Sequence, residues 1–107
     1  MDLHPAIQTY FDADRRRDQD AVTEVFGPDA TVADEGRTHE GREAIGAWWS
    51  ETKAQYEALL EPLEATRTDG ATVVRTRVTG NFPGSPVTLT FAFRLAGEHI
   101  KALEIGA

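Results

Sequence analysis

The spacing of apolar residues differs between the two halves of the chain. In the first half they recur at intervals of three and four residues, which indicates helices with one buried face. This pattern predicts helices over residues 2–14, 18–26 and 42–58. From Leu59 onward apolar and polar residues alternate, which is typical of strands that bury one face.

The alternating half predicts an antiparallel meander of four strands. These strands are expected over residues 60–68, 72–80, 87–95 and 99–105. Asp69-Gly70 is a typical hairpin turn, and residues 81–86 form a second turn. The third strand has the clearest pattern, because every odd position from Val87 to Leu95 is apolar.

A short strand pair is predicted between the second and third helices, over residues 30–35 and 37–40. Gly27-Pro28-Asp29 forms the turn before this pair. Glu35-Gly36 forms the reversal inside it, because glycine adopts positive φ without steric cost. Strand alternation places Asp34 on the face that must point inward.

This order of elements predicts an α+β fold, in which three N-terminal helices pack on one side of a curved, mainly antiparallel sheet. The chain has 107 residues and is predicted to be a single domain, residues 1–107. A sheet that curves around a long helix would leave a cavity between the two.

The charge balance excludes one class of partner. The chain has 18 acidic and 11 basic residues, a formal charge of −7, whereas nucleic-acid binding needs a surface rich in Lys and Arg. The run Arg15-Arg16-Arg17 lies among aspartates and is interpreted as a solvated helix end. Cysteine is absent, and neither a signal peptide nor a membrane-spanning run is visible. We therefore predict a cytoplasmic protein that binds neither nucleic acid nor membrane.

Two polar side chains are placed on buried faces. Burial would favour the neutral form of Asp34 and raise its pKa, which suits a general acid or base. The alternative is that Asp34 caps the Glu35-Gly36 turn. Tyr10 lies on the apolar face of the first helix, from which its hydroxyl could donate a hydrogen bond to a developing oxyanion. The alternative for Tyr10 is a core residue whose hydroxyl bonds to a neighbour or to water.

Aromatic residues recur at helical spacing in the third helix. Trp48, Trp49 and Tyr56 are either core residues or the wall of a ligand cavity, and the two roles are compatible. The three histidines, at positions 4, 39 and 99, lack metal-ligand spacing, so no metal site is predicted. The sequence has no phosphate-binding loop, nucleophile elbow or dinucleotide fingerprint, and no cofactor is predicted.

A family resemblance is carried by residues 26–49, which read FGPDATVADEGRTHEGREAIGAWW. They resemble the F-x-D-D-A-x-V-x-D … G-[RT]-E-A-I signature of nuclear transport factor 2-like domains. This superfamily includes ketosteroid isomerases, SnoaL-type polyketide cyclases and scytalone dehydratase. The resemblance implies a cone-shaped α+β domain with a deep pocket, often dimeric through its sheet. It does not name a reaction, because this scaffold hosts many chemistries.

Ketosteroid isomerases give the most informative comparison within the superfamily. By this resemblance Asp34 matches their proton-shuttling base and Tyr10 matches their oxyanion-binding tyrosine, with the same separation of 24 positions. The second oxyanion donor of those enzymes, a protonated aspartate, would fall near Phe91. Residues 85–95 contain no acid, so that part of the isomerase site is missing here.

Together these features predict a small-molecule pocket protein that binds a compact, mostly apolar or aromatic compound with a carbonyl or hydroxyl group. Asp34 would move a proton and Tyr10 would hydrogen-bond the oxygen, in an isomerisation, cyclisation or dehydration without a cofactor. The residues assigned to the pocket wall are Trp48, Trp49, Tyr56, Phe91, Phe11 and His39. The alternative is a non-catalytic ligand-binding or dimerisation module. A homodimer formed through the sheet is predicted in either case.

Overall fold

The chain folds into three helices and one six-stranded sheet, in a computed structural model that describes residues 1–107. The helices are α1 (Pro5–Arg16), α2 (Gln19–Glu24) and α3 (Arg42–Tyr56). The strands are β1 (Phe26–Asp34), β2 (Arg37–Glu40), β3 (Leu59–Thr68), β4 (Ala71–Thr79), β5 (Val87–Ala96) and β6 (His99–Gly106).

The sheet joins the two halves of the chain where β1 pairs with β6. Its order is β2-β1-β6-β5-β4-β3, and every neighbouring pair is antiparallel except β1 and β6, which run parallel. The predicted α+β fold with a mainly antiparallel sheet is confirmed. The four-strand meander is also as predicted, and β1 extends it by pairing with the last strand of the chain.

The first strand begins earlier than the sequence pattern predicts, at Phe26 rather than at residue 30. The segment Gly27-Pro28-Asp29, predicted as a turn, therefore lies within β1. Phe26 pairs with Ile100 and Thr31 with Ala102, so the intervening residues of β1 bulge out of the ladder. A bulge tolerates proline, which has no N–H to donate. The partner strand is remote in sequence, and local periodicity could not reveal this pairing.

The first helix is shifted toward the C-terminus relative to its predicted span. It starts at Pro5, because the His4 side chain accepts a hydrogen bond of 3.0 Å from the backbone N–H of Ala6 and proline suits the first helical turn. It ends at Arg16, after which Arg17 adopts a left-handed conformation with φ of 57°. The backbone N–H of Arg17 bonds to carbonyls of the last turn, a common helix ending.

An aromatic cluster fills the core between α1 and the sheet. The ring of Tyr10 lies 5.9 Å from that of Phe26 and 5.6 Å from that of Phe93, both edge to face. Phe11 meets Phe91 at 5.9 Å. The two edge-to-face pairs of Tyr10 contribute about 0.5–1.5 kcal/mol each beyond the area they bury. This cluster fixes α1, and with it Tyr10, over the inner face of the sheet.

The inner face of β5 passes from the core to the edge of the molecule. Phe93 is fully buried and Phe91 is nearly so, whereas Val87 is 37% exposed. The alternating pattern predicted for this strand is thus present, but its apolar residues do not share one environment. Toward Val87 the helices no longer cover the sheet, and a cavity opens there.

Candidate functional site

A cavity of about 670 Å³ lies between α1, α3 and the inner face of the sheet. This volume is within the range of sites for drug-sized molecules. The aromatic residues of its wall are Tyr10, Trp48, Trp49, Tyr56, Phe82 and Phe91. The ionisable carboxylate and ammonium groups of its wall belong to Asp14, Asp34, Glu35 and Lys53. A mostly apolar cavity with a few fixed polar groups is the usual form of a small-molecule site.

Asp34 ends β1 and lies beside the turn Glu35-Gly36, both of whose residues have positive φ. Its carboxylate accepts a hydrogen bond of 3.0 Å from the indole nitrogen of Trp48. Burial raises the pKa of Asp34 above its usual value of 3.8, and the hydrogen bond from Trp48 partly opposes this rise. A partly desolvated carboxylate that lines a cavity can take up a proton and return it.

Tyr10 lies at the bottom of the same cavity and is 1% exposed. Its hydroxyl forms no hydrogen bond within the protein. The two indoles, the Lys53 ammonium, the Tyr56 hydroxyl and the three carboxylates of the wall all form one. Burial is the main reason that the pKa of Tyr10 is raised well above its usual value, and the negative charges of Asp14 and Asp34 add to the effect. The hydroxyl is therefore protonated at neutral pH and free to donate to a ligand oxygen.

The third helix directs two adjacent indoles toward two different carboxylates. Trp48 donates to Asp34, and Trp49 donates to Asp14 at 2.9 Å. Two turns after Trp48, the Tyr56 hydroxyl donates to Glu35 at 3.0 Å, and this hydrogen bond is the main reason that the pKa of Tyr56 is raised. The three aromatic residues of α3 thus form both the apolar wall of the cavity and the donors that hold its carboxylates.

Two residues assigned to the pocket from sequence lie elsewhere, which corrects that assignment. Phe11 follows Tyr10 on α1, and a step of one residue turns a helical side chain by about 100°. Its ring packs in the core, 5.8 Å from Phe93. His39 lies on β2 with its ring 6.2 Å from that of Trp48, outside the residues that line the cavity.

The sequence pattern did not single out the most buried ion pair of the site. Asp14, which drew attention in the sequence only as a neighbour of the basic run Arg15-Arg16-Arg17, is 3% exposed, and its carboxylate accepts a hydrogen bond of 2.7 Å from the Lys53 ammonium. Helical periodicity could have identified both residues as inward-facing. Asp14 follows Tyr10 by four residues and Lys53 follows Trp49 by four residues, so each shares the inward face of its helix.

The structure has no group of three or more His, Cys, Asp or Glu side chains arranged to hold a metal ion. None of its helices combines the length and the apolar composition that crossing a bilayer requires.

The comparison with known families agrees with the fold. A sequence profile of the SnoaL-like domain matches residues 7–103. The chain belongs to the SnoaL-like family. This match confirms the predicted resemblance, which included SnoaL-type proteins among nuclear transport factor 2-like domains, and solved structures described as ketosteroid isomerase-like and nuclear transport factor 2-like share the fold. A comparison with curated proteins finds no match.

Solved structures similar to this SnoaL-like protein include one with substantial sequence identity. A candidate polyketide cyclase from Sinorhizobium meliloti is 48% identical, with a TM-score of 0.94 over 98% of this chain and 96% of that one. A protein from Catenulispora acidiphila with a ketosteroid isomerase-like fold, solved in complex with trimethylamine, is 21% identical, with a TM-score of 0.84 over 99% and 87% of the two chains. A computationally designed binder of 17-OHP is 17% identical, with a TM-score of 0.80 over 95% and 87%. The last two support the fold alone.

Proposed function

We propose that this SnoaL-like protein catalyses cofactor-free proton transfer on a compact, apolar carbonyl or hydroxyl compound. The observation that carries the proposal is the shared cavity of two groups with complementary roles. Asp34 is a carboxylate whose pKa is raised by burial, and Tyr10 is a phenol whose hydroxyl has no partner in the protein. One can accept a proton while the other donates a hydrogen bond.

The proton transfer begins at a carbon next to the carbonyl of the ligand. Asp34 removes a proton from that carbon, the C–H electrons form a carbon–carbon double bond, and the carbonyl π electrons move to oxygen. Tyr10 donates a hydrogen bond to this oxygen as its negative charge develops. Protonated Asp34 then returns the proton to another carbon in an isomerisation, or to a departing hydroxyl group in a dehydration.

The neighbouring side chains suit this chemistry. Trp48 donates to one carboxylate oxygen of Asp34, which helps to fix the direction of the base. The aromatic wall keeps water away from the reacting atoms and strengthens each polar interaction inside the cavity. The cyclisation variant of the reaction is supported by the description of the Sinorhizobium meliloti relative as a candidate polyketide cyclase.

A non-catalytic binding module is the second candidate function. The designed 17-OHP binder shows that this fold can hold a ligand without being assigned a reaction, although its 17% identity limits the comparison to the fold. Trp48 and Trp49 line the cavity without filling it, since about 670 Å³ remains. Room for a substrate beside Asp34 favours the enzyme over the module.

The experiment that tests the proposal follows deuterium exchange at carbons next to a carbonyl. Fused-ring ketones such as 1-indanone and 2-tetralone are incubated with the protein in D₂O, and exchange is measured by NMR. Asp34→Asn should reduce the catalysed rate by about 10²–10⁴-fold, the usual contribution of general base catalysis. Tyr10→Phe should reduce it by about 10²–10³-fold, as for loss of one oxyanion donor.

A matched control for Asp34→Asn is Asp29→Asn, because Asp29 is exposed on the same strand and does not line the cavity. This variant should retain the full exchange rate. Exchange at the background rate with every ketone, together with saturable binding of the same ketones, would instead support the binding module.

A further inference from the structure

The cavity contains a buried cation whose hydrogen-bonding capacity is only partly used. Lys53 is 9% exposed and lines the cavity. Its ammonium donates to the Asp14 carboxylate at 2.7 Å and to the Ala58 carbonyl at 2.6 Å. An ammonium carries three N–H groups, and the third has no acceptor in the protein. An unpaired buried donor is costly, so a molecule in the cavity should accept from it.

Lys53 and Tyr10 belong to the same end of the cavity. Tyr10 and Asp14 lie one turn apart on the inward face of α1, and Asp14 is bonded directly to Lys53. The negative charges of both Asp14 and Asp34 raise the pKa of Tyr10, so its hydroxyl lies within Coulombic range of both carboxylates. The free phenol and the free N–H of the ammonium thus share the side of the cavity next to Asp14.

We propose that Lys53 is the second donor to the ligand oxygen, and that its free N–H and the Tyr10 hydroxyl bind this oxygen together. This inference rests on the proposed function for the identity of the oxygen, a carbonyl or hydroxyl on an apolar ring system. The second donor of ketosteroid isomerases is a protonated aspartate, which by the resemblance would fall near Phe91 in this chain. Strand β5 has no acid there. In this chain the donor comes from α3.

Asp14 acts in this arrangement as a positioning residue. It fixes the Lys53 ammonium from one side, and Trp49 fixes the Asp14 carboxylate from the other. The ion pair also balances the positive charge, so the site does not attract a fully ionised ligand as an unpaired lysine would. The chemical class that fits is a neutral, enolisable ketone or a phenol on a compact ring system.

The test compares two probes that differ by one hydroxyl group, 2-naphthol and naphthalene, by fluorescence titration. The variant is Asp14→Asn/Lys53→Met, because removing Lys53 alone would leave a buried carboxylate without its counter-charge. We expect the affinity for 2-naphthol to fall about tenfold or more, the lower end for a hydrogen bond to a charged group, while the affinity for naphthalene changes less than about twofold. Lys101→Met, at an exposed lysine on β6, is the matched control and should bind both probes as the unmodified protein does.

A second measurement needs no variant and uses the NMR signal of the Lys53 ammonium. Adding 2-naphthol to the unmodified protein should move this signal downfield relative to its position with naphthalene bound, because only 2-naphthol can accept a hydrogen bond from the ammonium. Three results would each overturn the inference. They are failure of 2-naphthol to bind, an equal loss of affinity for both probes in the double variant, and an ammonium signal that 2-naphthol does not move. Because both measurements report binding, they can succeed even if no ketone is turned over, which separates this inference from the proposed function.

Discussion

Trp48 donates its indole N–H to the Asp34 carboxylate at a distance of 3.0 Å. The donor is in the second turn of α3 and the acceptor is at the end of β1, so this contact ties the helix to the strand that carries the candidate base. Burial makes the carboxylate harder to ionise and the hydrogen bond makes it easier. The acidity of Asp34 therefore depends on the register of the helix.

The first prediction concerns the hydrogen bond between these two residues. Trp48→Phe keeps an aromatic ring but removes the N–H, so the pKa of Asp34 should rise further. The direction follows because a hydrogen bond to the charged form lowers a carboxyl pKa. A ¹³C NMR titration of the Asp34 side chain measures the change. Trp49→Phe is the matched control, because that indole donates to Asp14 instead. An Asp34 pKa that falls or stays the same in Trp48→Phe would contradict the assignment.

The second prediction concerns the dependence of stability and activity on pH. The pKa of Asp34 is raised in the folded state, so the folded protein binds this proton more tightly than the unfolded chain does. Stability contributed by Asp34 should therefore be present at low pH. It should be lost as the pH rises from about 3.8 through the raised folded-state pKa. Over the same window the rate of proton abstraction should increase, because the base must be ionised.

Urea unfolding of the protein and of Asp34→Asn at a series of pH values tests this sign. The amide does not titrate, so the difference in unfolding free energy should move in favour of the variant as the pH rises through the window. A difference that is constant with pH, or one that moves in the opposite direction, would show that Asp34 is not desolvated in the folded protein.

The third prediction concerns the ion pair between Asp14 and Lys53. Lys53→Met should lower the unfolding free energy by about 3–5 kcal/mol, because it leaves a buried carboxylate without its counter-charge. Asp14→Asn/Lys53→Met should cost less than this single change, since no charge remains buried. Urea unfolding at neutral pH measures both effects. Lys101→Met should stay within about 0.5 kcal/mol of the unmodified protein. A double variant less stable than Lys53→Met would refute this account of the pair.

The fourth prediction is a homodimer formed through the outer face of the sheet. Thr88, Thr90 and Ala92 give this face of β5 an uncharged strip. The same face is more polar on β4 and β3, where Arg75 pairs with Glu64 and Arg77 pairs with Glu61. The strip along β5 is therefore the part that another copy can most easily desolvate.

Light scattering during size-exclusion chromatography tests this prediction. The unmodified protein should be a dimer at micromolar concentration, and Ala92→Arg should shift it toward the monomer by placing a charge in the strip. Ala47→Arg, on the exposed side of α3, should leave the dimer intact. If the unmodified protein is a monomer at these concentrations, the prediction is wrong.

The sequence by itself determined the type and order of the elements, because hydrophobic periodicity is a local property. Alternation in β5 and the 3.6-residue period of α1 and α3 were sufficient to place these elements to within three residues at each end. The same periodicity placed Asp34 and Tyr10 on inward faces, and both line the cavity in the structure. The sequence was enough to predict that both side chains point inward, although it did not identify the residues that each contacts.

Only the tertiary structure decided which inward groups meet. The parallel pairing of β1 with β6, the hydrogen bond from Trp48 to Asp34 and the ion pair between Asp14 and Lys53 join residues that are distant along the chain. The distribution of inward residues between core and cavity was also undetermined, since Phe11 fills the core while its neighbour Tyr10 reaches the cavity. These outcomes depend on how helices and sheet pack in three dimensions, and periodicity along one element fixes a direction but not the partner found there.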